Sequence, residues 1–250
     1  MDEHWLTRSE WLVGTDGLDK LKKSTVLVAG LGGVGSYAAE MLARAGVGHL
    51  ILIDNDKVTL TNRNRQLPAL VSTEGLMKTQ VMAARLRDIN PVIGLTLIEE
   101  YLDEQSVPRL LEGFMPSYVV DAIDTLSPKI ALICYCMEHS LPLVSAMGAG
   151  AKMDATQVRV SDISKSFNCP LAFMLRKRLR KLGVRKGFKV VFSQELPDPG
   201  AVIPCDDRNK KSQVGTISYL PAVFGCVCAQ TAIRDIIDFC IFENSLNELI

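Results

Sequence analysis

The chain has 250 residues, 48% of them hydrophobic, which is enough for a sizeable core in one large domain or two small ones. Lysines plus arginines and aspartates plus glutamates each number 28, so no global field argues for nucleic acid or a membrane surface, and only a local cluster can carry such a claim. Seven cysteines without a C-x-x-C pair, and a start (MDEHWLTRSE) without an apolar h-region, point to free thiols in a reducing cytoplasm rather than a secreted disulfide scaffold.

Residues 4–24 read as a short helical lead with a turn at Gly14 to Gly17. Residues 25–36, TVLVAGLGGVGS, read as a buried strand, a glycine turn and a helix start. Gly30, Gly32 and Gly35 fit G-x-G-x-x-G, where glycine allows a tight turn and lets an anion approach amides at a helix N-terminus. The turn alone is shared by many folds. A helix over about 33–45 ends at Gly46 and Gly48. The strand HLILID (49–54) follows, and its last residue, Asp54, lies 19 positions after Gly35. There it can accept hydrogen bonds from a ribose; a helix cap or a surface turn is the structural alternative.

The run 54–70, DNDKVTLTNRNRQLPAL, is unusually polar, with arginines and asparagines that an ordinary dinucleotide fold does not need. A helix over about 74–88 carries Lys78 in its first turn, where a lysine opposes the helix dipole and invites a phosphate as the reason. A strand at 94–99, a short helix at 103–112 and a strand at 117–121 continue the alternation. Asp121 and Asp124 then stand at a strand's C-terminal end, the edge where open α/β sheets bind ligands, and two acids there suit a magnesium–phosphate complex. One of them can instead cap the helix predicted over 127–138; Asp124 reads as the functional acid and Asp121 as partly structural. With the strand 141–145 and the turn AMGAGA (146–151), the pattern is that of a doubly wound, mostly parallel α/β sheet.

The last hundred residues change character. Strands are predicted at 158–164 and 188–192 and a helix at 169–182. A long polar loop spans 194–213, and an apolar helix about 220–241 precedes a lightly docked tail. Residues 176–189, RKRLRKLGVRKGFK, form the one basic cluster, readable as a phosphate-backbone contact or as a solvated helix face. The apolar run 214–233 is interrupted by Pro221, Gly225 and Gln230, so it reads as a buried helix without stable membrane insertion. The C-x-C pairs Cys134/Cys136 and Cys226/Cys228 point their sulfurs different ways and read as small core residues. Cys205, in the polar loop near Arg208, Lys210 and Lys211, is a candidate thiol nucleophile or an incidental exposed thiol.

In order, GLGGVGS, LILIDND, TNRNRQ, the lysine helix and DAIDT resemble the adenylation domain of the E1-like (ubiquitin-activating) enzymes, which include the molybdopterin- and thiamine-synthesis adenylyltransferases. Within that superfamily PLVSAMGAGAKMDATQVRVSDISK and CPLAFMLRKRLRK resemble the tRNA threonylcarbamoyladenosine dehydratases. The resemblance implies one Rossmann-like domain over 1–250: a helical lead (1–24), a nucleotide-binding core (25–150), and a smaller mixed β/α extension facing tRNA with a closing helix (151–250). It implies ATP and Mg2+. Gly32 and Gly33 would approach the phosphates, Asp54 would hold the ribose with Asp56 beside it, and Asn62, Arg65 and Gln66 would lie along the triphosphate. Arg65 and Lys78 would serve the reaction centre, and Asp124 would position magnesium. Arg8 matches an arginine that reaches into the other subunit's site, which implies a homodimer. Sulfur-relay proteins are candidate partners. Some dehydratases carry a loop cysteine near the place of Lys211, where this chain has only Cys205 several residues earlier.

The implied reaction is adenylation of the carboxylate of N6-threonylcarbamoyladenosine in tRNA, followed by ring closure. The alternatives are adenylation of a sulfur-carrier protein's C-terminus, which the missing C-x-x-C pairs disfavour, an NAD-dependent dehydrogenase, which leaves Arg63, Arg65 and Lys78 unexplained, and a module that holds nucleotide structurally.

Overall fold

The computed structural model describes residues 4–204 and 212–238. Five strands run parallel: β1 (Thr25–Ala29), β2 (His49–Ile53), β3 (Gly94–Ile98), β4 (Tyr118–Asp121) and β5 (Leu143–Ala146). Two later strands, β6 (Val158–Asp162) and β7 (Lys189–Ser193), complete the sheet in the order β3-β2-β1-β4-β5-β7-β6, with β7 parallel to β5 and β6 antiparallel on the edge. The C-terminal strands predicted as an extension are therefore the far edge of the same sheet.

The central strands read as unbroken apolar runs because both faces are covered. Along β1, Val26 and Val28 enter one core, and Leu27 and Ala29 enter the other. The first core is roofed by α2 (Gly35–Arg44), α3 (Lys78–Ile89) and α7 (Tyr219–Ile236), with the end of α1 (Thr7–Lys23). The second is roofed by α4 (Ser106–Leu111), α5 (Leu126–Glu138) and α6 (Pro170–Lys181). The small residues of α2, Ala38, Ala39 and Ala43, are fully buried and let the helix sit close to the sheet. At Gly225, α7 crosses α2 so tightly that a Cβ would stand 2.3 Å from the Val34 carbonyl oxygen.

Several boundaries differ from the sequence reading, each for a local reason. The lead helix is bent at Gly14, whose φ of +74° is outside helical space. The helix predicted from about 74 begins at Lys78, because the segment before it is pinned to the polar run: Val58 and Leu76 pair, and the Lys78 amide donates to the Asp56 carbonyl. The 194–213 loop holds a short 3-10 turn at Pro199–Ala201 and a hairpin of β8 (Val202–Pro204) and β9 (Ser212–Val214). Cys205 and the tail beyond 238 lie outside the described residues. Of the C-x-C pairs, Cys136 and Cys228 are core residues, whereas Cys226 is exposed, since residues two apart on a helix face different ways. No described helix is long and apolar enough to cross a membrane.

Candidate active site

The strand order reverses between β1 and β4: the chain builds outward from β1 to β2 and β3, then restarts on the other side with β4 and β5. A ligand crevice forms at such a switch point, above the strands' C-terminal ends. The glycine turn fills one lip. Gly30 has φ +87°, and a Cβ there would meet the Ala122 carbonyl oxygen at 2.9 Å, so the turn lies directly against the end of β4. A Cβ on Gly35 would stand 1.7 Å from the Gly30 carbonyl oxygen, which makes any other residue impossible without rebuilding the turn. Among the described residues, the amides of Gly32, Gly33, Val34 and Gly35 have no hydrogen-bond acceptor. Four unspent donors at the start of α2 are a ready anion site.

Asp54 follows β2 directly. Its Oδ2 accepts from the Leu31 amide at 2.6 Å and its Oδ1 from the Asp56 amide at 2.8 Å, so it braces the glycine turn from below. Burial pushes the Asp54 carboxyl above the usual carboxylate range, against the pull of the nearby Lys78 ammonium and of the two amides. Lys78 is buried at the first position of α3, with Nζ 2.8 Å from Asp56 Oδ2 and 3.8 Å from Asp54 Oδ1. Two carboxylates therefore offset the unfavourable helix-dipole position that the sequence left unexplained.

The polar run crosses above the turn. Asn62 is buried in a 3-10 turn (Leu60–Asn62), its Oδ1 accepting from the Thr59 amide at 3.2 Å. Arg65 packs on Gly33: a Cβ there would meet the Arg65 carbonyl oxygen at 3.2 Å and the Pro221 side chain of α7 at 2.9 Å. The guanidinium donates to the Thr61 carbonyl and to Asn64 Oδ1 and pairs with no carboxylate among the described residues. Gln66 sits beside Gly32, and its Oε1 is buried with no partner among the described residues. Such an orphaned acceptor next to unspent amides is what a polar ligand would satisfy.

The opposite lip is the end of β4. Asp121 is fully buried, accepting from the Ile123 amide at 3.1 Å and the Ser145 hydroxyl at 2.6 Å. It also forms an ion pair with Lys129 at 2.9 Å, both side chains inaccessible, and Lys129 donates to the Ile123 carbonyl at 2.8 Å. This clamp holds the corner from which Asp124 projects, exposed. Sequence reasoning missed Lys129; a lysine in the first turn of a helix that is otherwise apolar was the available signal. The turn, Asp54, Asp56, Lys78, Asn62, Arg65 and Gln66 thus gather at one crevice, with Asp124 across it. Arg8 is exposed on α1 and bonds to none of them.

Fold and crevice together define the class: a doubly wound α/β protein with a nucleotide-type glycine turn at its switch point. The ThiF family matches residues 7–249, and the chain belongs to that family. It is 40% identical over 242 residues to the tRNA threonylcarbamoyladenosine dehydratase of Bacillus subtilis, covering 94% of this chain and 95% of that protein. The dehydratase of Escherichia coli is 44% identical over 192 residues, 74% of this chain and 71% of its own. The solved structure of E. coli tRNA N6-threonylcarbamoyladenosine dehydratase, TcdA, in complex with ATP superposes with a TM-score of 0.84 at 38% identity, covering 92% of this chain and 93% of that one.

Proposed function

We propose that this protein uses ATP to dehydrate N6-threonylcarbamoyladenosine in tRNA through a carboxyl-adenylate. The observation that carries the reading is the set of glycine-turn amides, unspent among the described residues, lying between Asp54 and an Arg65 that has no carboxylate partner among the described residues. Relatives sharing nearly the full length carry that enzyme's name, and the E. coli structure holds ATP.

The ribose hydroxyls would meet Asp54, and the phosphates would lie on the amides of Gly32 and Gly33. Asn62, Gln66 and Lys78 would complete the wall around them, with Asp56 holding Lys78 in place. Arg65 would offset the charge that develops as the substrate carboxylate attacks the α-phosphate. That attack forms the acyl–phosphate bond and breaks the bond to pyrophosphate. The carbamoyl group of the same nucleoside then closes on the activated carbonyl, and AMP leaves with the former carboxylate oxygen. Because both groups sit on one nucleoside, the second step is intramolecular and needs little further help. Asp124 is one exposed carboxylate, a donor set that suits Mg2+ only together with phosphate oxygens; the ion would supply charge neutralisation on the triphosphate.

Residues 25–150 would thus hold the nucleotide, and the later elements would face tRNA. On α6, Lys177, Arg178, Arg180 and Lys181 are exposed and form no ion pair among the described residues, which supports contact with a phosphate backbone. On α1, Trp11 is 69% and Leu12 76% exposed beside Arg8, an apolar face that a second copy of the chain would cover, bringing Arg8 to the neighbouring site.

The test is pyrophosphate and AMP formation from ATP and Mg2+ with modified tRNA, unmodified tRNA, or a sulfur-carrier protein. Turnover should require the modified adenosine. Turnover that ignores the modification, or that needs a carrier protein, refutes the reading.

A further inference from the structure

Asn64 lies in the polar run between Asn62 and Arg65, and both ends of its amide are engaged. Its Oδ1 accepts from Arg65 Nη1 at 2.8 Å, and its Nδ2 donates to the Thr216 carbonyl at 2.9 Å. Thr216 belongs to the segment 215–218 that joins β9 to α7. That segment is a strap between two regions. On one side, the Gly215 amide donates to the Ala201 carbonyl beside the β8–β9 hairpin at 2.8 Å. On the other, the Ala151 amide donates to the Gly215 carbonyl at 2.8 Å, and the Tyr219 hydroxyl to the Met153 carbonyl at 2.7 Å. The strap then enters α7, whose Pro221 lies against Gly33 as Arg65 does. The hairpin at the strap's outer end exposes Ile203 (64%) and Val202 (41%) to whatever docks there.

We propose that Asn64 is a positioning residue that ties the Arg65 guanidinium to this strap, so that the strap sets the aim of Arg65. The inference rests on the reading of Arg65 as the residue facing the α-phosphate. A guanidinium held only by the neighbouring Thr61 carbonyl is free to swing. With Asn64 clamped to Thr216, its direction follows a segment 152 residues away in sequence. Gly150 is the second handle on the same device, because a Cβ there would stand 2.7 Å from Val214 Cγ1 and 3.1 Å from Thr216 Oγ1, displacing the strap.

The experiment measures AMP formation with modified tRNA, and ATP affinity without tRNA, for wild type, Asn64→Ala, Asn64→Asp, Gly150→Ala and the double variant Asn64→Ala/Gly150→Ala. Each single change should lower kcat about tenfold, the scale of one lost positioning bond, while KM for ATP stays within about twofold. Asn64→Asp keeps an acceptor for Arg65, now as a carboxylate paired with it, and removes the donor to Thr216, so it should fall at least as far as Asn64→Ala. The double variant should be no worse than the poorer single one, since both break the same link. A merely structural role would instead lower the melting temperature and multiply the losses in the double variant. Full kcat in Asn64→Asp, or multiplying losses, overturns the relay while leaving the function intact. A wild-type protein that forms no AMP with modified tRNA overturns the functional reading and the relay with it.

Discussion

Lys129 gives the sharpest test of how the corner beneath Asp124 is built. Its ammonium and the Asp121 carboxylate are 2.9 Å apart, and neither side chain is reached by solvent. A methionine fills nearly the same volume but leaves Asp121 charged among apolar neighbours, with only the Ser145 hydroxyl and the Ile123 amide to satisfy it. Breaking a buried pair by removing one partner costs about 3–5 kcal/mol. At about 2–4 °C per kcal/mol for a chain of this size, Lys129→Met should melt about 6–20 °C below wild type by scanning calorimetry. The loss should be partly reversed in Asp121→Asn/Lys129→Met, because no lone charge then remains in the core. The same substitution frees the Ile123 carbonyl, the residue before Asp124, so turnover should fall in the melted-out corner even well below the unfolding temperature. Lys129→Met melting within about 2 °C of wild type, less than one kcal/mol on this scale, would refute the account, as would a double variant no more stable than the single.

Arg65→Ala and Asp124→Ala should each lower kcat about 10²–10³-fold, the cost of losing one aimed electrostatic group, with an unchanged circular dichroism spectrum; near-normal turnover in both would refute the site. Gly33→Ala places a Cβ 2.9 Å from Pro221 and 3.2 Å from the Arg65 carbonyl oxygen, so titration calorimetry should show ATP binding weakened at least about tenfold, and unchanged affinity would mean the crowding is relieved without moving the site. Glu40 is buried on α2, and although burial works to raise its carboxyl, hydrogen bonds from Arg85 and Arg44 hold it below the usual carboxylate range. A depressed carboxylate stabilises the fold above the unfolded pKa, and that contribution is lost as pH falls through the folded pKa. Urea midpoints should therefore drop between about pH 5 and pH 3 more steeply in wild type than in Glu40→Gln, and parallel slopes would sink the argument.

What the sequence displayed and what it concealed divide by range. The parallel strands were legible because burial on both faces leaves a local signature, as in Val26 to Ala29 and Leu50 to Ile53. Asp54 was legible because its distance from the glycine turn is set by one strand–helix–strand unit. Lys129 is the exception to range: Asp121 lies only eight residues upstream, but a lysine in an apolar helix ordinarily extends its amine to water, and spacing alone does not say that it turns back to the end of β4. Nor was Asn64 legible, whose partner at Thr216 is fixed only once β9 and α7 are in place. The C-terminal strands looked like an appendage because β6 and β7 follow a change in composition, yet pairing joins them to β5.

The glycine turn shows why a motif of this kind underdetermines function. Its glycines answer to different neighbours. Gly35 must clear the carbonyl of Gly30 in its own turn, Gly33 must admit Pro221 and Arg65, and Gly32 faces the unsatisfied Gln66. Only the last two contacts involve elements outside the strand–turn–helix unit, and those are what separate this crevice from one built for hydride transfer. In a redox fold the space over the second glycine is left for a pyrophosphate alone. Here Arg65, with no carboxylate partner among the described residues, packs on the next glycine, Gly33, and is held by an asparagine that bonds to Thr216, 152 residues away. The polar run and α7 converge on Gly33, and a substitution on either side of that contact should alter turnover before it alters the fold.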